Sequence, residues 1–181
     1  VVFGARFDEN WEVKHDYTET IDGVSVFRGS KYVQSKTGDT FKQAEQFLKQ
    51  NRKVLFSGTP CQIVALKRYL KKEYENLLLV DFICHGVPSP GVWRKYLKQV
   101  IALTCDKNTV SSHLKLLLSE RNALVEGISF RDKRLGWQKY SFSLTLSTTD
   151  ESGNKNTVSL SESLNENLFM RGFLANLYLR P

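Results

Sequence analysis

The chain has 181 residues, 41% hydrophobic, 12% aromatic and 25% charged, with 26 Lys and Arg against 19 Asp and Glu for a net charge of +7. That is long enough for one buried core, too aromatic for disorder, and without any apolar run near the roughly 18 residues of a membrane-spanning helix. The basic residues are scattered, and the densest group, Lys67-Arg68-Tyr69-Leu70-Lys71-Lys72, reads as the solvated face of an amphipathic helix, so a nucleic-acid partner is not expected.

The chain opens with apolar alternation on either side of Asp8-Glu9-Asn10, which predicts a short hairpin. A polar stretch then leads through Val24–Phe27 to Arg28-Gly29-Ser30-Lys31-Tyr32-Val33-Gln34-Ser35. Thr37 or Asp39 can cap a helix whose apolar positions Phe41, Ala44, Phe47 and Leu48 recur at helical spacing and which ends near Asn51. Lys53–Ser57 predicts a strand that runs into Gly58-Thr59-Pro60-Cys61-Gln62, where Thr59 caps a helix with Pro60 in its first position. A second apolar strand, Leu77–Ile83, opens into Cys84-His85-Gly86-Val87-Pro88-Ser89-Pro90, and Ser89-Pro90 repeats the cap-then-proline start for a helix to about Leu103. Continuously apolar strands alternating with helices predict a parallel sheet covered on both faces.

The remainder changes period. Leu124–Phe130 and Tyr140–Ser147 alternate in twos and predict antiparallel strands, Asp150–Asn156 a polar turn, Thr157–Leu160 a third short strand, and Ser161–Leu179 a closing helix. The expected fold is mixed α/β: a parallel strand-helix-strand core with an added antiparallel section and a closing helix, in a single domain over residues 1–181.

The 3 cysteines, Cys61, Cys84 and Cys105, are widely spaced and contain no C-x-x-C pair, which argues against a secreted disulfide scaffold and for a reducing, cytoplasmic setting. The opening residues lack the basic and apolar regions of a signal peptide. With no initiator Met and an end at Leu179-Arg180-Pro181, both termini read as cut, and the sequence is expected to be a piece of a longer protein.

In open parallel sheets the ligand crevice lies beyond the carboxyl ends of the strands. Both strands called here end in loops rich in Gly, Pro and Cys, so adjacent strands would bring Cys61, Cys84 and His85 to one edge. The helix starting at Pro60 would aim its positive dipole end at the same place, a seat for an anion or phosphate. The plain alternative makes Gly58 and Gly86 tight turns, Cys61 and Cys84 small buried hydrophobes, and His85 a capping residue. A phosphatase-type thiol needs an Arg six residues after the Cys, and position 67 is Lys. A Cys-His nucleophile pair from Cys61 or Cys84 with His85 would suit a thiol-dependent transferase or hydrolase. A nucleotide-binding module is a further alternative. Three scattered cysteines do not supply a cluster or metal site within the chain. Arg28 and Lys31 could neutralise phosphates, with Ser30, Tyr32 and Gln34 donating hydrogen bonds. His15 and His113 find no partner in the sequence pattern and read as surface residues.

The order R-G-S-K-Y-V-Q-S, V-L-F-S-G-T-P-C-Q-I, D-F-I-C-H-G-V-P-S-P and F-R-D-K-x-x-G-W resembles the coenzyme F420 hydrogenase/dehydrogenase beta subunit family. The resemblance implies a flavoprotein that binds FAD and, in the intact protein, 4Fe-4S clusters, passing electrons to a redox partner protein or small-molecule substrate such as a deazaflavin. It implies that Arg28, Gly29, Ser30, Lys31, Tyr32, Gln34 and Ser35, together with Gly58, Thr59, Pro60, Cys61 and Gln62, line the flavin. Cys84, His85 and Gly86 would lie close by. The cluster cysteines of the family would fall before Val1 and after Pro181.

Overall fold

A computed structural model of the chain describes residues 1–84, 86–107, 124–134, 136, 141–149, 155–163 and 166–174. Its contacts divide it into two compact units, Val1–Pro90 and Gly91–Pro181.

In the first unit, β1 (Val2–Phe7) and β2 (Val13–Thr18) form the expected antiparallel hairpin. Its turn closes on the Asp8 carboxylate, which accepts the Asn10 and Glu12 amides at 2.9 Å each, a local competition with strand pairing that short acidic side chains favour. A 3-10 helix (Asp22–Phe27) follows and packs on β1. A Cβ at Gly4 would sit 2.9 Å from the Phe27 ring, so Gly4 is the residue that lets this helix lie on the sheet. Then come α1 (Thr40–Lys49), β3 (Val54–Gly58), α2 (Pro60–Leu70) and β4 (Leu77–Asp81).

The four strands form one sheet in the order β2-β1-β3-β4, with β1, β3 and β4 parallel and β2 antiparallel at one edge. Phe3, Val54 and Phe56 pack with Ala44 and Leu48 of α1 and with Ile63, Leu66 and Leu70 of α2, all buried. Phe3 stacks on Phe56 with ring centroids 5.4 Å apart. Each such side chain stabilises the fold by about 1.5–3 kcal/mol through burial alone.

The parallel pairing agrees with the sequence expectation, but the covering of both faces does not. Leu78 and Val80 of β4 are 58% and 42% exposed, and Phe82 and Ile83 beyond the strand are more exposed still on average. β4 is the last strand of its sheet, and α1 and α2 pack on the opposite face, so among the described residues of this unit no α-helix covers its apolar outer residues.

The second unit contains α3 (Pro90–Lys107) and an antiparallel sheet of β5 (Leu124–Asp132), β6 (Ser141–Thr149) and β7 (Lys155–Ser163). Its core is aromatic: Trp93, 1% exposed, meets the rings of Phe130 and Phe169 at 5.2 Å each, and Tyr96 meets Phe169 at 4.9 Å. The expected closing helix from Ser161 is corrected. Ser161–Ser163 complete β7, because Val158, Leu160 and Glu162 continue a period of two, and the helix, α4, spans only Leu168–Leu174 among the described residues. Asn167 starts it, its side-chain oxygen accepting the Met170 amide at 2.9 Å while its amide group donates to the Tyr96 hydroxyl at 2.6 Å and to Glu162 at 2.9 Å. The expected turn at Asp150–Asn156 also shortens, since Lys155 and Asn156 belong to β7; residues 150–154 lie outside the described residues.

Candidate functional site

β3 ends at Gly58, and its parallel neighbour β4 ends opposite it, with Gly58 paired to Asp81. The two loops singled out in the sequence therefore leave the same edge of the sheet from adjacent strands. At the first of them, Thr59 is the extended N-cap of α2 and Pro60 its first residue. Gln62 completes a capping box: its side-chain oxygen accepts the Thr59 amide at 3.0 Å. Cys61 is exposed in the first turn, its sulfur 3.1 Å from the Thr59 hydroxyl.

The segment after the 3-10 helix reaches this place without forming a strand of its own. Lys36 makes an isolated parallel bridge with Lys14, with the His15 amide donating to Lys36 O at 2.8 Å and the Lys36 amide to Val13 O at 3.0 Å. This draws Ser35 alongside β2 and α2. One side of the segment faces the loop after β4, where the Gln34 amide donates to Pro88 O at 3.0 Å.

These strands and loops meet in a chain of side-chain hydrogen bonds centred on a residue that sequence reasoning left on the surface. His15 is buried, 5% exposed, with its ring stacked on Phe56 at 5.4 Å and 9° between planes. A carbonyl oxygen can only accept, so the contact of His15 Nε2 with Ser57 O at 3.0 Å requires that this nitrogen carry the proton. Nδ1 of the neutral ring is then an acceptor, and the Ser35 hydroxyl donates to it at 2.8 Å. The Ser35 oxygen in turn accepts from the Gln62 side-chain amide at 2.9 Å. Burial holds the His15 pKa below its usual 6.5, the Ser57 carbonyl offsetting part of that, so the ring is neutral at pH 7. Gly58 is the close-approach point: a Cβ there would lie 3.1 Å from the Gln62 oxygen and 3.5 Å from His15 Nε2.

The placement of His15 corrects the surface reading. A signal for it was present in the period-two face Val13, His15, Tyr17 of β2, whose other members pack inward. His113 and His85 lie outside the described residues, and with His85 goes the proposed Cys-His pair.

Of the remaining residues expected to form the site, Ser35, Gly58, Thr59 and Gln62 are joined by the bonds above. Pro60 sets the helix start. Cys84, half-buried, and Gly86, exposed, follow β4 at the same sheet edge. Lys31 is held within its own loop. Its ammonium turns onto its own loop and donates to the carbonyls of Phe27, Arg28 and Gly29 at 3.3, 3.0 and 3.1 Å. Burial lowers its pKa to about 8. Arg28 is exposed, and among the described residues its guanidinium makes no ion pair or hydrogen bond. Ser30 and Tyr32 are half-buried in the same loop, where Gly29 turns with φ +83°. A shallow cleft lined by Val1, Val2, Leu55, Asn76 and Leu77 lies at the other, amino-terminal ends of β1, β3 and β4, away from all of these groups.

Among the described residues no group of three or more His, Cys, Asp or Glu side chains is arranged to hold a metal ion, and no helix is long and apolar enough to cross a membrane.

The first unit is a mixed α/β unit that places a capped helix start and two glycine-containing loops at the carboxyl edge of its parallel strands, the edge at which open α/β sheets generally bind ligands. The chain itself belongs to the coenzyme F420 hydrogenase/dehydrogenase beta subunit family, whose C-terminal model matches residues 51–152. The matched span includes G-T-P-C-Q, C-H-G-V-P-S-P and F-R-D-K-x-x-G-W, while the segment Arg28–Ser35 precedes it. A hydrogenase/dehydrogenase beta subunit is consistent with a role in oxidoreductase electron transfer. No curated protein matches the chain.

Proposed function

We propose that this chain is the flavin-binding domain of an iron-sulfur flavoprotein, that FAD sits at the carboxyl edge of β3 and β4, and that the intact protein relays electrons between clusters held outside these residues and a redox partner or substrate. The observation that carries the reading is the joining of the family's G-T-P-C-Q turn to the Arg28–Ser35 segment through Gln62 and Ser35.

The residues at the edge fit a dinucleotide. The first turn of α2 offers the positive end of a helix, the exposed Arg28 guanidinium offers the diphosphate a partner, and the loops at Gly29 and Gly86 are open, with nothing within 4 Å of a Cβ built at either glycine. Lys31 holds the Phe27–Gly29 carbonyls in place, so its part is to shape the loop that carries Arg28. Bound flavin would supply hydride and single-electron chemistry. A 4Fe-4S cluster does not fit the residues present: Cys61 and Cys84 follow different strands, and Cys105 belongs to α3.

Titration of the chain with FAD and with FMN, read by quenching of flavin fluorescence, tests the reading. FAD should bind more tightly than FMN, and Arg28→Ala should weaken FAD more than FMN because FMN lacks the diphosphate. Folded protein that binds neither flavin, or both equally, refutes it. Rapid alkylation of Cys61 at neutral pH with no flavin bound would favour thiol chemistry instead.

A further inference from the structure

Every group in the chain from Thr59 to Ser57 has one consistent direction of donation when His15 is neutral. The Thr59 amide donates to the Gln62 oxygen, the Gln62 amide to the Ser35 oxygen, the Ser35 hydroxyl to His15 Nδ1, and His15 Nε2 to Ser57 O. The last two residues in that path lie on β2 and β3, the first two at the start of α2, and Ser35 at the end of the basic loop. One imidazole thus ties together the elements that border the proposed site. A proton added at Nδ1 converts that nitrogen from acceptor to donor; the Ser35 oxygen can accept from it as well as from Gln62, so what opposes the charged ring is its burial, at 5% exposure, and not the loss of a hydrogen-bond partner.

Among the described residues, no acidic side chain is placed as a counter-ion for the charged ring. On β2, Asp16 pairs with Arg6 of β1 at 3.4 Å and with Lys14 at 3.8 Å. Lys36 pairs with Glu12, Lys31 is held by carbonyls, and Arg28 is exposed. On α1, Glu45 pairs with Lys49 at 2.7 Å and Lys42 is exposed. β3 has no ionisable side chain, β4 ends in the exposed Asp81, and α2 contributes the Cys61 thiol against Thr59. The flat face of the ring lies on Phe56.

We propose that His15 is a positioning residue for the flavin site: as a neutral ring it locks the Arg28–Ser35 segment to the first turn of α2 through Ser35 and Gln62, and its protonation releases that lock. The inference rests on the flavin reading for its ligand and stands on the hydrogen-bond path for its mechanism. It adds to that reading a residue from β2, outside both loops, and a direction for its response to pH.

The test compares FAD affinity between pH 8 and pH 4.5 for wild type, His15→Asn and His15→Leu, with circular dichroism at each pH to establish folding. Asn retains an acceptor in place of Nδ1 and does not titrate. Wild-type affinity should be flat at the upper end and then fall by about tenfold per pH unit once the ring takes up its proton. His15→Asn should bind within about threefold of wild type at pH 8 and stay flat, whereas His15→Leu, which cannot accept from Ser35, should bind weakly throughout. A folded wild type whose affinity stays flat across the pH at which its His15 ring is seen by NMR to take up a proton, a His15→Asn variant that keeps the wild-type profile, or a His15→Leu variant that binds like wild type would each overturn the proposal. The lock is also read without ligand: the Gln62 side-chain amide and the Thr59 backbone amide should shift in NMR spectra with the same midpoint as the His15 ring. If FAD does not bind at any pH but these signals titrate together, the flavin reading fails and the lock stands. If FAD binds and they do not move with His15, the lock fails and the flavin reading stands.

Discussion

Ser35→Ala removes a single oxygen that serves as donor to His15 Nδ1 at 2.8 Å and as acceptor for Gln62 at 2.9 Å. A typical intramolecular hydrogen bond contributes about 1 kcal/mol net, but a buried partner left unsatisfied costs about 1–3 kcal/mol. His15 is 5% exposed, so water cannot replace the hydroxyl without opening the strands, and the larger figure applies on that side. Gln62 is half-buried and can turn its amide towards water, so that side costs about 0.5–1 kcal/mol. The sum is a loss of about 1.5–4 kcal/mol from the first unit. Urea denaturation followed by far-ultraviolet circular dichroism measures it, and a cycle with Gln62→Ala isolates the coupling, expected at about 0.5–1.5 kcal/mol for residues in one network. A Ser35→Ala loss below about 0.5 kcal/mol, or two losses that simply add, would refute the view that these side chains act as a unit.

Other expectations follow from neighbouring features. The unfolded His15 ring binds its proton near 6.5 and the folded one at lower pH, so the stability gained from keeping it neutral is complete above that value. It is lost as the pH falls from 6.5 towards the folded pKa, at up to about 1.4 kcal/mol per pH unit, and His15→Asn should remove this component from the acid side of a stability-pH curve. Phe3→Ala empties the centre of the first unit, where Phe3 is fully buried against Phe56 and Tyr17 at 5.4 Å each, and should cost about 3–5 kcal/mol in chemical denaturation. Lys31→Met should speed hydrogen exchange across the Phe27–Lys31 loop by freeing three carbonyls, whereas Arg28→Ala should leave exchange there unchanged and weaken only FAD binding.

What could be read in the amino-acid order was governed by neighbours in the chain. Thr59-Pro60 marks a helix start through local backbone rules, and β3 and β4 pair in parallel as their flanking helices require. His15 escaped because its partners are 20 and 42 residues away, and a histidine alternating with lysine and aspartate resembles any exposed strand residue until the opposite face is known. The contacts of Lys31 escape a sequence reading for the opposite reason: its acceptors are two to four residues back, but they are backbone carbonyls, which carry no side-chain signature. The apolar run of β4 suggested burial on both sides, since hydrophobicity records what a residue tolerates and not whether a layer covers it. At the other end, Glu162 in the place of an apolar residue on the Val158 and Leu160 face obscures the continuation of β7, and Asn167, a strong helix-start residue, marks the true onset of α4.

Gln62 uses both atoms of its amide at once, the oxygen on the start of α2 and the nitrogen on Ser35. A helix start of this kind is served equally well by Glu in most proteins, because only the oxygen is needed. Here Glu would keep the helix and silence the connection, since a carboxylate at neutral pH has no hydrogen to give. The exchange of one amide for one carboxylate therefore separates two properties that a deletion would destroy together, the local order of the helix and its communication with β2.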